Sequence, residues 1–565
     1  MTLSGLAYIG LLFALVIGLA FPLGRYLAAI FEGRVAWLRP VETGIYRLCG
    51  VDESRQMGWQ SYAIALLLLS VVHFVLLYAI LRGQFYLPLN PTHIAGMSPR
   101  LAFNTACSFV TNTNWQAYVP ESQISNGAQM YGLAVHMFLS AAAGIAAAAA
   151  VMRAFTGSNL KTLGNFYADL TRITLYLLLP ISIVAGILLV IAGVPETFAA
   201  TQTVHILQGG TSQVISVGPA ALQEAIKEFG TNGGGFFNAN SSHPFENPNA
   251  WTNLFENWLL LVIGFALPIA FGHIVRAPAQ GRALMIAMAI ILGSGCVATY
   301  AAEQAGNPLH IAAGVASEGN WEGKDVRFGI PASAAFNVSA TGTSTGAVDS
   351  FTDSYTPLGG SVPLFLMQLG EVTPGGVGSG FYTIVVFALL AVFVAGLMVG
   401  RTPEYLGKKV QAKEIKLAML GVLILTLLIL GGAGASLLTA SGVGSLANAG
   451  PHGLSEMLYA WTSATENNGS AMAGISADTP LLDYGLGTAM LLGRFAFMVP
   501  ILAIAGSLAA KPKLPASNGT FPTTGPLFIG LLVGVIIILG GLQFMPADTL
   551  GPIAEHFLLH AGKTF

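Results

Sequence analysis

Charge is what this chain has least of. Only 9% of its 565 residues are Asp, Glu, Lys or Arg, against roughly 25% in soluble domains. A soluble fold of this length needs more polar surface than that, so the composition points to a multi-spanning membrane protein. The net charge of −2 holds no basic excess for nucleic acid. Cysteine is nearly absent. Cys49, Cys107 and Cys296 are scattered and make neither a disulfide framework nor a thiolate metal cluster. The ten histidines lack ligand spacing, and no apolar run carries a pair of them that would hold haem. There is no GxxxxGK[ST] and no DKTGT, so nucleotide binding and phosphorylation are not expected of this chain. The first residues lack a basic start and a small-residue cleavage site, so 3–23 is expected to stay as a span.

Apolar runs are what the chain has in plenty. Hydrophobic residues make up 54% of it, and the mean hydropathy is +0.68. A bilayer core takes about 20 apolar residues. Runs of that kind lie near 3–23, 58–81, 128–152, 172–193, 256–275, 283–302, 361–400, 416–439, 486–510 and 525–545. The run 361–400 is too long for one plain span and is broken by GEVTPGGVGSG at 370–380. Of the 24 lysines and arginines, seventeen fall in one alternate set of loops, six in the other, and Arg494 lies inside a span. The positive-inside rule makes the richer set cytoplasmic and places both termini outside.

The outer connections are unusual. Four carry a common pattern: SPRLAFNTACSFVTNTNWQAY (98–118), GPAALQEAIKEFGTNGGGFF (218–237), IPASAAFNVSATGTSTGAVDS (330–350) and GPHGLSEMLYAWTSATENNGSAMAG (450–474). Each starts near a proline (Pro99, Pro219, Pro331, Pro451), which suits the first turn of a helix. Each then runs through a helix too short to cross and ends in Thr, Ser, Asn and usually Gly. Spacing aligns Thr111-Asn112-Thr113, Thr231-Asn232-Gly233, Ser344-Thr345-Gly346 and Asn467-Asn468-Gly469. Thr113 then stands where the others have glycine. A β-branched residue resists positive φ, so that quarter is expected to be less regular.

The expected fold is an all-α integral membrane protein with about ten transmembrane helices. Four pseudo-repeats of span, pore half-helix, filter strand and span surround a central pore. The boundaries are 58–155, 170–276, 282–401 (its second span broken) and 414–510. Extra terminal spans lie in 1–57 and 511–565. Irregular backbone at membrane depth survives only inside protein or along a watery path. Four half-helices aim their negative ends at the centre, and rings of carbonyl oxygens replace the water shell of an alkali cation. Few acidic side chains are present there, which fits a monovalent ion better than calcium or magnesium. The plainer reading is four re-entrant loops that only pack the bundle. The run AAAGIAAAAA at 141–150 reads as close helix packing.

These segments, above all TNTNWQAY and EFGTNGGGFFNANSSHPFENP, resemble the potassium-binding subunit family of Kdp-type potassium-transporting ATPases (KdpA), within the wider Trk, Ktr and HKT superfamily. The resemblance spans nearly the whole chain. It implies that the twelve aligned residues form a K+ filter and that their backbone carbonyls bind the ion. It implies delivery through an intramembrane tunnel to KdpB, a P-type ATPase that hydrolyses ATP, with KdpC and small KdpF completing the complex in a bacterial inner membrane. This chain is then non-catalytic. A partner is useful because 100 mV contributes roughly 2.3 kcal/mol per charge, about a 50-fold accumulation. None of the segments is TVGYG, so selectivity for potassium over sodium comes from the resemblance and not from the residues. The other transport reading is a stand-alone Trk-like channel.

Three further places follow. Gln116 matches a position the family uses for affinity, or it satisfies nearby backbone. Glu466 adjoins the fourth filter strand and either deepens the negative potential or braces the loop. The interruption with Glu371, Gly375, Gly376 and Gly378 reads as a gate, since intramembrane carboxylates are functional by default. The alternative is a kink with Glu371 capping freed N–H groups.

Overall fold

A computed structural model describes residues 1–315, 318–370, 372–515 and 519–563. Among these, ten helices are long and apolar enough to cross a membrane: Leu3–Phe31, Trp59–Tyr86, Ala128–Arg153, Phe166–Ala192, Ala250–Ile274, Pro278–Ala312, Ser379–Val399, Ala412–Leu437, Pro480–Ala509 and Pro526–His560. All ten expected runs become helices. The run 361–400 does not stay whole. A short helix, Pro357–Gln368, ends before the glycine-rich break, and Ser379–Val399 resumes after it. Glu371 lies outside the described residues.

Burial separates the spans. In the four pairs that flank the short helices, the span after each is more buried than the span before. The shares are 22% then 78%, 44% then 83%, 61% then 72%, and 33% then 56%. The later spans therefore form the inside. Outward faces such as Ile64, Leu68, Val71, Val72 and Val75 are exposed and apolar, which only a lipid solvent tolerates. The alanine run packs as expected: all of 141–150 is buried except Ala143, which is partly so. Its Gly144 lets the broken segment approach. A Cβ at Gly144 would stand 2.5 Å from the Val377 carbonyl, and a Cβ at Gly378 would strike the Gly144 carbonyl.

On the side rich in arginine, a charge cluster ties loops to spans. Glu42 accepts from Arg39 (2.9 Å), Arg172 (2.8 Å), Tyr46 (2.8 Å) and Tyr176 (2.7 Å). Asp169 takes a two-pronged contact from Arg153 at 2.6 and 2.7 Å, and a third from Tyr62 at 2.9 Å. Burial pushes the Glu42 carboxyl up, but the hydrogen bonds from Tyr176, Arg172 and Tyr46 outweigh it and hold the group below its ordinary value. That stabilisation is full above the unfolded value of about 4.3 and is lost as pH falls through the depressed folded value. Removing one partner of a buried ion pair strands the other, so Glu42→Ala should cost roughly 3 kcal/mol. The check is the thermal midpoint in detergent at pH 7. It should drop by several degrees, and an unchanged midpoint would contradict the cluster's role.

Candidate functional site

Four short helices point their C-termini at one place: Pro99–Val110, Ala220–Phe229, Gly329–Gly342 and Gly450–Thr465. Pro99 opens its helix, Pro451 is second, Pro331 third, and Pro219 precedes its helix. Each proline thus sits where the backbone N–H would have no helical partner anyway.

All four helices stop in the same way. The caps are Thr111, Gly230, Thr343 and Glu466. The next residue is left-handed in every case: Asn112 (φ 67°), Thr231 (43°), Ser344 (55°) and Asn467 (56°). The residue after that sends its N–H back to the helix. Thr113 bonds Ser108 O at 2.9 Å, Asn232 bonds Lys227 O at 2.9 Å, Thr345 bonds Ala340 O at 2.9 Å, and Asn468 bonds Ser463 O at 2.8 Å. This is the Schellman turn, which normally uses glycine at its left-handed place. Here none of the four is glycine. Each costs about 1–2 kcal/mol relative to the right-handed form, and strain of this kind collects at functional sites.

The turns correct one alignment. Thr111 still completes its helix, through its N–H and its hydroxyl to Cys107 O at 3.1 and 2.8 Å. The first segment therefore runs one residue later, as Asn112-Thr113-Asn114. Asn114, with φ 56°, holds the place of Gly233 (φ 151°) and Gly469 (φ 96°). Thr113 is not at positive φ, so the expected irregularity does not arise there. The odd member is Gly346, which lacks the positive φ of its counterparts. The β-branched residue that does go left-handed is Thr231.

The four segments close a ring, each bonded to the next. Asn112 Nδ2 donates to Thr231 O at 2.9 Å, and Asn232 Nδ2 donates to Asn112 Oδ1 at 2.7 Å. Gly346 N–H donates to Asn232 O at 2.8 Å. Ser344 Oγ donates to Glu466 O and Asn467 O at 2.9 and 3.0 Å. Asn467 Nδ2 donates to Thr113 Oγ1 at 3.0 Å, which completes the circuit. Every residue of Asn112–Asn114, Thr231–Gly233, Ser344–Gly346 and Asn467–Gly469 is buried. Glycine is required where backbones meet. A Cβ on Gly233 would strike Gly346, one on Gly346 would stand 2.9 Å from Gly469 C, and one on Gly469 would strike the Thr113 carbonyl.

Supports surround the ring. Gln116 exchanges two bonds with Gly235, donating at 2.9 Å and accepting at 3.1 Å, so it staples the first segment to the second. Asn240 was not legible as a site residue. Its amide donates to Gly234 O and, at 3.4 Å, to Gly346 O. Glu466 is buried at the fourth helix end and lines a small cavity with Gly370, Thr383 and Arg494. The broken segment presses on the ring: Val377 N–H donates to Thr231 Oγ1 at 2.8 Å, and Gly375 N–H donates to Gly342 O at 2.8 Å. Gly376 approaches Ser344 and Thr343, where a Cβ would meet Ser344 Cβ at 3.3 Å. Gly375 and Gly376 thus come to the ring, while Gly378 packs on Gly144 of the third span. Arg494, a buried cation inside a span, borders the same cavity. Its signal in the sequence was its position alone.

Comparison with known proteins agrees along the whole chain. The family model for the potassium-transporting ATPase A subunit matches residues 10–557. A protein of Beijerinckia indica named potassium-transporting ATPase potassium-binding subunit is 56% identical over 99% of both chains. One of the same name from Allorhizobium ampelinum is 56% identical over 100% of both. The crystal structure of the potassium transporter TrkH from Vibrio parahaemolyticus shares the fold, with a TM-score of 0.52 at 14% identity, over 86% of this chain and 97% of that one. The ring, the ten spans and these full-length relatives together place the chain: it belongs to the KdpA family of potassium-transporting ATPase A subunits.

Proposed function

We propose that the ring is a potassium filter and that the chain hands the ion to a separate ATP-hydrolysing subunit. The observation that carries this is the closed ring of four identical helix endings. Their dipoles aim negative potential at one buried point, and backbone carbonyls there serve in place of water. The filter residues are Asn112, Thr113, Thr231, Asn232, Gly233, Ser344, Thr345, Gly346, Asn467, Asn468 and Gly469, with Asn114 added by the register and Thr111 acting as the helix cap behind them. Neutral oxygens suit a monovalent ion, since divalent ions select carboxylates. Gln116 positions the outer backbone, and Glu466 adds negative potential beneath.

The segment 372–378 blocks straight passage under the ring. In this reading Glu371, Gly375, Gly376 and Gly378 form a gate that turns the ion aside into an intramembrane tunnel toward KdpB, with KdpC and KdpF as further partners. The complex sits in a bacterial inner membrane with both termini of this chain periplasmic. The four span pairs are the repeats 58–155, 170–276, 282–401 and 414–510, with 1–57 and 511–565 as additions. The chain itself catalyses no hydrolysis.

Three outcomes test this. Gly469→Ala places a methyl against the Thr113 carbonyl, and it should weaken the apparent potassium affinity of the complex's ATPase activity at least tenfold, about 1.4 kcal/mol. An unchanged affinity counts against the filter. Replacing Gly375 with alanine should change turnover or cause leak while leaving that affinity within about twofold, or roughly 0.4 kcal/mol. An affinity that collapses instead removes the gate. Finally, the chain alone in liposomes should give no potassium flux. Steady flux without partner or ATP would favour a stand-alone channel.

A further inference from the structure

The second short helix carries a cluster that the proposed function does not use. Glu224, Lys227 and Glu228 lie three and four residues apart, on one helical face. Glu246 joins them from the loop after the ring, and Glu256 from the fifth span. All five are at most 1% exposed. Lys227 Nζ reaches Glu224 at 2.7 Å, Glu246 at 2.8 Å and Glu228 at 3.4 Å. It also donates to Asn240 Oδ1 at 2.9 Å and Ser241 Oγ at 2.8 Å. The ammonium is therefore fully engaged.

Two carboxylates still have free oxygens. Among the described residues, both oxygens of Glu256 and Oε2 of Glu228 are buried with no hydrogen-bond partner. One oxygen each from Glu224, Glu228 and Glu256 lie within 4.8 Å of one another. Four buried carboxylates face one ammonium, which leaves three negative charges unmatched if all are ionised. Burying them unmatched costs several kcal/mol each. The potassium ring above uses neutral oxygens, whereas this cluster is all carboxylate, which selects a higher charge. Calcium takes six to eight oxygens at 2.3–2.6 Å from one- or two-pronged carboxylates, while magnesium keeps several waters. Three buried carboxylates, each able to offer one or two oxygens, fit the former.

We propose that Glu224, Glu228 and Glu256 bind a calcium-type divalent cation, separate from the transported ion. The cation fixes the stretch 230–249. Lys227 holds Asn240, which holds Gly234 and Gly346, and Glu246 accepts from Phe237 N–H at 2.7 Å.

The test uses the purified intact complex at fixed potassium. The complex is stripped with EGTA, re-equilibrated with calcium and freed of loose metal by gel filtration. Elemental analysis should find about one calcium per chain, and the thermal midpoint should rise by about 2–5 °C and fall again with EGTA. Glu256→Gln should lose both effects. Wild-type complex without calcium and with a midpoint indifferent to EGTA would overturn the site and leave protons as the neutralising charge. Stabilisation by magnesium alone would overturn the calcium assignment. If Glu256→Gln fails to assemble, Glu228→Gln and the wild-type chelation series decide. Potassium affinity measured in the same samples reports on the ring separately, so failure of one claim is not read as failure of the other.

Discussion

Four helix ends brought together in a buried space set the terms for this structure. A helix C-terminus leaves carbonyls without partners, and at membrane depth each must find one. Here each end turns left-handed at a non-glycine residue and returns one N–H to its own helix. The turn satisfies part of the helix end and sends the next residues across to a neighbouring segment. Because the four segments bond in a circuit, none is placed without the other three. The strain at Asn112, Thr231, Ser344 and Asn467 is held by that mutual bonding and by the burial around it.

Much of the rest follows from letting the circuit close. Glycines stand where backbones touch, at 233, 346 and 469. Side-chain amides act as crosslinks where carbonyls stack: Asn112, Asn232, Asn240 and Asn467 each join two segments. That answers why a nearly uncharged stretch of glycine and asparagine lies between two apolar spans. Amides bond carbonyls without adding charge to the ring. The small residues of 141–150 in turn let the broken segment 372–378 reach the ring from below. On the outer flank, the carboxylates of Glu224, Glu228 and Glu246 are engaged by Lys227.

Span positions and the four short helices were legible because each rests on a strong term. Apolar length and proline in the first turn repeat across the chain. The ring's exact register in the first segment was not. With no glycine in TNTNWQ, matching Thr-Asn to the Thr-Asn of the second segment slid it by one residue. Only the hydrogen bond from Thr113 to Ser108 settles where that helix ends. Asn114 was missed for the same reason, and Asn tolerates the left-handed form that the glycines supply elsewhere. Asn240, Glu246 and Glu256 were missed because they reach the cluster from a loop and a span far along the chain, although Glu224, Lys227 and Glu228 already share one helical face. The pairing of Gln116 with Gly235 was open between two roles in the sequence, and the geometry favours a staple that acts on the ring through backbone.

One measurement reaches the central claim most directly: anomalous scattering from rubidium in crystals of the complex grown with that ion in place of potassium. A peak on the axis of the circuit, within about 3 Å of carbonyls from all four segments, is what the account predicts. Rubidium density elsewhere, with none inside the circuit at saturating ion, would contradict it.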